Sequence, residues 1–279
     1  MQFPGTAIDT VQAYVRRVDS AAATGVAQGY ACLDQYRNRR QSFPPQQYAQ
    51  ASASYRAACR DAVAGVHARL VAAEAAYRRT ASAEEHARAV QSARLVVQWE
   101  DVAGAGTAGS LLRDRYMAEN TDWLLAQLPA GTRMALWAHN YHVSSVPGAQ
   151  GAHLRARHGD AYRIVGFTFG TGSFSAVEFV GGSARGLRTL ATDHVAPGSF
   201  EAYAAATGLP RFALDARRIP DAPAAAPLAG PLPMRSIGAG FDPSRPELYF
   251  TMTRPAAIYD VLIHFAAGTA TQRLPFRYE

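Results

Sequence analysis

The hydrophobic period of the chain changes near residue 130, and this change limits the possible folds more than any other feature. Before that point apolar residues recur at helical spacings, whereas after it they form short runs bounded by turn residues, as in buried strands. The 279 residues therefore predict an α/β fold, with a mostly parallel central sheet flanked by helices. We expect a mainly helical section over residues 1–129 and an α/β section over residues 130–279, which together form one composite domain.

A long helical hairpin is expected in the first section. An apolar stripe at spacings of three, four and seven runs through residues 47–79 and predicts one long helix. Ser82 and Glu85 have the spacing of a capping box, which predicts that a second long helix starts there. Two long helices joined by a short turn favour an antiparallel pair. Further helices are expected after Pro4-Gly5-Thr6 and over residues 110–128. The stripe consists of Tyr55, Cys59, Val63, Val66, Leu70 and Tyr77.

The second section should contain a strand–helix–strand unit. Residues 134–138 and 162–169 are short apolar runs typical of buried strands, and residues 152–157 between them favour a short helix. This order predicts that the two strands are parallel. We also expect strands at residues 176–180 and 258–265, a short helix at 199–207 and a surface loop at 219–233.

The composition of the chain limits the classes of molecule that we expect it to bind. No run of 18 apolar residues occurs and the first residues lack the features of a signal peptide, so no membrane association is expected. All 28 basic residues are Arg, the formal charge is +6, and these residues are spread along the chain without a basic patch. We therefore expect no nucleic-acid partner, while the sequence leaves the oligomeric state open.

The two cysteines, Cys32 and Cys59, form neither a disulfide framework nor a zinc pattern. We expect them to be small buried apolar residues with free thiols. Free thiols indicate a reducing compartment, which predicts a cytoplasmic protein.

One helix face over residues 113–124 mixes polar and apolar residues. Arg113, Met117, Asn120 and Leu124 share this face. It is either the edge of a helix, with Arg113 and Asn120 in solvent, or the wall of a polar cavity in which Arg113 offers a cationic group to a carboxylate or an oxyanion.

His139 and His142 follow the strand predicted at residues 134–138, on either side of Asn140 and Tyr141. Ligands of open α/β sheets bind beyond the carboxyl ends of strands, so both histidines are well placed for a site. Their spacing differs from that of a helical zinc site, and we expect no metal. They are either an acid or oxyanion donor, or one structural and one surface histidine.

A glycine-rich segment, Gly166 to Gly172, follows the second predicted strand. It lacks the pattern of a dinucleotide fingerprint and favours either a tight turn or a close approach of the backbone to a ligand or strand. There is no Gly-x-Ser-x-Gly elbow, so no serine nucleophile of the α/β-hydrolase kind is visible. The remaining histidines are expected to be structural or exposed.

Three motifs together resemble the erythromycin esterase family, and the resemblance runs over the whole chain. They are Arg113-Asp114 with Tyr116-Met117-Ala118-Glu119-Asn120 and Trp123, then Trp137-Ala138-His139-Asn140 with His142, then Gly166, Gly170 and Gly172. The resemblance implies a hydrolase without metal or other cofactor that opens a macrolide lactone with an activated water and confers antibiotic resistance. It implies that His139, His142 and Arg113 are catalytic and that Asn120, Tyr141 and Met117 contact the substrate.

The chain departs from the family pattern at one point. The family begins with a strand and a Gly-Glu…His-Gly type segment, whose histidine is the general base, and this segment is absent here. We therefore expect a truncated chain with weak or no activity and with an exposed sheet edge or apolar patch. The alternatives are a non-catalytic remnant that binds a macrolide or polyketide, and an esterase of this family with another substrate.

Overall fold

The computed structural model describes residues 3–37, 44–219 and 226–272. The chain forms two compact units, Met1–Tyr116 and Met117–Glu279. The first unit is helical in its described part, and the described strands belong to the second. The predicted α/β class is confirmed. No described helix is both long and apolar enough to cross a membrane.

The elements are named in chain order. The helices are α1 Gly5–Val18, α2 Ala23–Tyr30, α3 Pro44–Ala49, α4 Ala53–Ala72, α5 Glu74–Tyr77, α6 Ala83–Gly104, α7 Gly109–Ala126, α8 Asn140–Val143, α9 Gln150–His158, α10 Phe200–Ala206, α11 Ala226–Ala229 and α12 Pro255–Ile258. The strands are β1 Val165–Val180, β2 Ser183–Thr192, β3 Arg211–Asp215, β4 Leu232–Arg235, β5 Gly240–Phe241, β6 Phe250–Thr253 and β7 Val261–Gly268.

The predicted helical hairpin of the first unit is confirmed as α4 and α6. The capping box at Ser82 and Glu85 starts α6, with both reciprocal hydrogen bonds formed. Arg60, near the start of α4, lies 3.1 Å from the buried carboxylate of Glu100, near the end of α6, so the two helices are antiparallel. The apolar stripe of α4 is buried in the core of this unit, together with α1.

The expectation of free thiols is wrong, because Cys32 and Cys59 form a disulfide. Cys32 lies in a 3-10 helix, Ala31–Tyr36, and Cys59 lies on the buried face of α4. The pairing depends on α2 folding back along α4, and the two helices pack together. A sequence separation of 27 residues does not reveal this return of the chain.

The sheet of the second unit has the strand order β2-β1-β7-β3, with β5 also pairing with β1. Two of these described pairs, β1 with β7 and β1 with β5, are parallel. The pairs β1 with β2 and β3 with β7 are antiparallel. On the side of β1 that faces β2, pairing starts only at Gly172. The edge of β1 from Val165 to Thr171 on this side pairs with no described strand.

The strand predicted at residues 134–138 is wrong, and so is its parallel pairing with the strand that follows. Residues 132–139 form no ladder with any described strand. Leu136 and Ala138 pack against the core of the second unit, whereas the side chain of Trp137 is 85% exposed. The apolar run is therefore buried on one face only. A strand needs hydrogen-bonding neighbours as well as apolar residues, and no described neighbour pairs with this segment.

The glycine-rich segment is not a tight turn. It lies inside the single long strand β1, which joins the two strands predicted at residues 162–169 and 176–180. Gly172 has φ +119°, and a Cβ at this position would lie 2.1 Å from the carbonyl oxygen of Gly268 on β7. These glycines therefore allow β1 to approach β7 closely.

The loop predicted at residues 219–233 is only partly described. Its residues 220–225 lie outside the described part of the chain. Residues 226–229 form the short helix α11, and Leu232 starts β4, so the loop is shorter than expected. The predicted helix at residues 199–207 and the predicted strand at 258–265 are confirmed as α10 and β7.

Candidate active site

A cleft of about 360 Å³ lies within the second unit. Its floor and walls come from the end of the segment 132–139, from β1, from α10 and from the end of β4. Apolar rings and polar groups both line it, as is usual for a small-molecule site. The lining residues are Trp137, Ala138, His139, Asn140, Phe167, Thr168, Phe169, Glu201, Arg235, Ser236 and Ile237.

His139 is held at the rim of this cleft by both of its ring nitrogens. Its Nδ1 accepts the backbone N–H of Tyr141, 3.2 Å away, and this bond caps the short helix α8. Because Nδ1 accepts, the proton of a neutral ring is on Nε2, which donates to the carbonyl oxygen of Ile237 at 2.9 Å. His139 thus presents an N–H donor within the cleft lining.

Asn140 closes the unpaired edge of β1. Its Nδ2 donates to the carbonyl oxygen of Phe167 at 2.6 Å, and its Oδ1 accepts the backbone N–H of the same residue at 3.0 Å. The amide side chain thereby replaces one residue of a neighbouring strand. The rings of Trp137 and Phe167 lie side by side, 5.4 Å apart, next to this contact.

The other second-unit residues predicted for the site do not line this cleft. The ring of His142 is 6.4 Å from that of His139 and 5.4 Å from that of Tyr141. Met117 and Asn120 belong to the part of α7 that is in the second unit. None of these four residues is among the cleft lining.

Arg113 belongs to the first unit, also on α7. Its side chain is partly exposed, and its Nη2 lies 3.8 Å from the buried carboxylate of Asp114. Among the described residues, no group of three or more His, Cys, Asp or Glu side chains is arranged to hold a metal ion.

Three charged or titratable residues at the cleft were not predicted from the sequence. Glu201 is fully buried at the start of α10, and its Oε1 accepts the backbone N–H of Arg235 at 3.1 Å. Burial raises the pKa of the Glu201 carboxyl, more than the backbone N–H groups and the charge of Arg235 lower it. A pKa raised by burial in a cleft is typical of functional carboxyls.

Arg235 and His264 complete this buried polar group. The guanidinium of Arg235 donates to the carbonyl oxygens of Phe169 and Gly170 at 2.9 and 2.6 Å, and also to that of His194. Nδ1 of His264 bonds to the hydroxyl of Thr168 at 2.8 Å. Burial lowers the pKa of His264, and the charge of Arg235 acts in the same direction.

The raised pKa of Glu201 predicts a change in stability with pH. A carboxyl whose folded pKa lies above its unfolded value stabilises the fold fully below that unfolded value, and the contribution is lost as pH rises through the folded pKa. Relative to Glu201→Gln, the native chain should therefore lose free energy of unfolding above about pH 4.5, by up to about 1.4 kcal/mol per pH unit. Urea unfolding of both proteins across this range measures the effect, and parallel curves would contradict a buried protonated carboxyl.

Residues 1–268 match the sequence profile described as erythromycin esterase. The chain belongs to the erythromycin esterase family. The match includes all three motifs and the whole of the cleft lining. The family identity predicted from the motifs around Arg113, His139 and Gly166 is confirmed.

Solved structures support this assignment at the level of the fold. A succinoglycan biosynthesis protein is 19% identical with a TM-score of 0.76, and it matches over 94% of this chain and 62% of its own. A Bacillus cereus protein is 17% identical with a TM-score of 0.77, over 95% of this chain and 64% of its own. A mutant of the erythromycin esterase EreC in its open conformation is 16% identical with a TM-score of 0.70, over 94% of this chain and 65% of its own. This member of the erythromycin esterase family thus spans less than two thirds of each of these structures.

Proposed function

We propose that this erythromycin esterase family member contributes to the hydrolysis of a carboxylic ester, the lactone of a macrolide, and thereby to antibiotic resistance. The observation that carries the proposal is the placement of His139 and Asn140, from the second motif, in the lining of the cleft. The apolar rings of Trp137, Phe167 and Phe169 in the same cleft suit a large and mostly apolar ester.

The proposed reaction needs a base, an oxyanion donor and a proton for the leaving group. The oxygen of an activated water bonds to the lactone carbonyl carbon, and the bond from that carbon to the ring oxygen then breaks. The base takes the proton of the water, and the leaving oxygen receives a proton, so the product is a hydroxy acid. The Nε2–H of His139 suits the oxyanion once its bond to the Ile237 carbonyl oxygen is exchanged for one to the substrate. From the family motifs, we also assign charge stabilisation to His142 and Arg113. Met117, Asn120 and Tyr141 are the proposed substrate contacts.

We further propose that the general base comes from polypeptide outside the 279 residues. In the geometry of the cleft His139 donates from one ring nitrogen, and its other nitrogen already accepts a backbone N–H. Glu201 is not assigned as the base, because the residue is fully buried and its Oε1 already accepts a hydrogen bond. On this proposal the chain alone is weakly active or inactive.

Two alternatives separate in the same assays. A non-catalytic macrolide- or polyketide-binding protein would bind the intact ligand without opening it, even in a longer form. A family esterase with another substrate would leave macrolides unchanged and hydrolyse other esters.

The predicted cytoplasmic location depended on free thiols, and the disulfide removes that support. The redox state of Cys32 and Cys59 in cell extracts prepared with a thiol-blocking reagent would test it.

The test of the proposed function is lactone opening, followed as the gain of the mass of one water by erythromycin. His139→Ala should lower the rate of a version extended upstream by about 10²–10³-fold, as the loss of one oxyanion donor does. Macrolide affinity should change little, because the donor acts mainly in the transition state. A rate that is unchanged in His139→Ala would remove His139 from the mechanism.

A further inference from the structure

One carboxyl oxygen of Glu201, a residue of the cleft lining, has no hydrogen-bond partner among the described residues. Glu201 lines the cleft and is fully buried, and its Oε1 accepts the backbone N–H of Arg235. Its Oε2 is also buried and has no hydrogen-bond partner among the described residues. Buried polar atoms in native proteins nearly always have a partner, so an exception in the lining of a cleft points to a ligand.

The surroundings favour the protonated form of this carboxyl. The apolar ring of Phe169 lines the same cleft, and the guanidinium of Arg235 is directed to the three carbonyl oxygens of Phe169, Gly170 and His194. Arg235 forms no ion pair with Glu201 among the described contacts. A carboxyl that is buried in this way keeps its proton, and the proton makes Oε2 a hydrogen-bond donor.

We infer that Glu201 is a hydrogen-bond donor of the cleft, and that its Oε2–H binds an uncharged oxygen of the ligand, the carbonyl or ring oxygen of an ester. This inference rests on the proposed function and names the chemical group that the site recognises. An uncharged acceptor fits because it pairs the buried O–H and leaves no charge unpaired in the cleft. A ligand ammonium group would instead need the ionised carboxylate.

Two substitutions separate donation from packing. Glu201→Gln keeps the size of the side chain and an N–H donor but cannot ionise, whereas Glu201→Ala removes the donor. Glu247→Ala is the matched control, because Glu247 is exposed and lies outside the cleft lining. The ligands are erythromycin and the small uncharged ester ethyl butyrate, and their binding to the 279-residue chain is measured by calorimetry and ligand-observed NMR at several pH values.

The expected result is a ligand affinity that depends on pH only in the proteins that retain Glu201. Its affinity for both ligands should fall about tenfold as pH rises through the pKa of Glu201, and Glu201→Gln should bind equally well at every pH. Glu201→Ala should bind about five- to tenfold more weakly at low pH, and Glu247→Ala should match the native chain. The elements packed against α10 carry Arg235 on β4, His264 on β7 and the Thr168 hydroxyl on β1. Glu201→Gln retains these three groups, so any pH dependence of ligand binding that remains in this variant comes from them.

A second measurement needs no ligand. In a chain labelled with ¹³C at the glutamate carboxyls, the signal that disappears in Glu201→Gln should have the chemical shift of a protonated carboxyl at neutral pH. An ionised Glu201 at neutral pH would overturn the inference, as would an unchanged affinity in Glu201→Ala or the absence of binding of both ligands to the native chain. Binding that depends on Glu201, without hydrolysis by a longer version, would instead overturn the proposed function and support the inference.

Discussion

On the proposal that the general base comes from polypeptide outside the 279 residues, a version of this protein extended upstream of Met1 in its coding frame should open the lactone of erythromycin about 10²–10⁴-fold faster than the 279-residue chain, because this is the usual contribution of a general base. The reason lies in the cleft. His139 uses one ring nitrogen as a donor and the other as the acceptor of a backbone N–H. Glu201 is fully buried and its Oε1 accepts the backbone N–H of Arg235, so neither residue is placed to take a proton from water. The measurement is the single-turnover rate of lactone opening by both proteins at equal concentration.

The comparison needs a control for folding and for the site. The extended protein carrying His139→Ala should be slow although its base is present. The extended protein and the 279-residue chain should each show a cooperative unfolding transition. Robust turnover by the 279-residue chain would show that the base lies within it, and His142 would then be the first residue to replace. Equal inactivity of both forms, with tight macrolide binding, would favour the non-catalytic alternative.

The helical section could be predicted because its signals are local. The stripe along α4 and the capping box at Ser82 depend on residues within a few positions of each other, and both are present in the structure. Strands depend on partners that are distant in the sequence. The segment around Trp137 has an apolar composition typical of a strand but pairs with no described strand. The strand β2 was missed because eight of its ten residues are exposed, and all of these except Leu187 are short or polar.

The candidate site was predicted where a motif marks it and missed where only the fold creates it. His139 is a member of a recognisable motif and does line the cleft. Glu201 stands in an ordinary helix start after Ser199, and its burial depends on Arg235, 34 residues away. No local pattern shows that its Oε2 lacks a partner, because this property belongs to the packing of α10 against β1 and β4.

Loss of the disulfide between Cys32 and Cys59 should lower the free energy of unfolding of the first unit by roughly 3–4 kcal/mol. The bond closes a loop with a sequence separation of 27 residues, and opening it increases the conformational freedom of the unfolded chain. The loop contains α3 and the first residues of α4, and α3 packs on α6. Urea unfolding of the Cys32→Ala, Cys59→Ala protein, followed by tryptophan fluorescence and circular dichroism, should show a transition at lower urea than that of the native protein.

Reduction of the native protein separates the effect of the bond from that of the sulfur atoms. A reductant should shift the native transition most of the way to that of the double variant and should leave the double variant unchanged. The small remaining difference measures the packing of the Cys59 sulfur, because Cys59 is buried against the core formed by α1, α4 and α6. If reduction leaves the native transition unchanged while both thiols become reactive, the bond does not stabilise the unit. The two cysteines would then act only through their volume in the core, as the sequence alone had predicted.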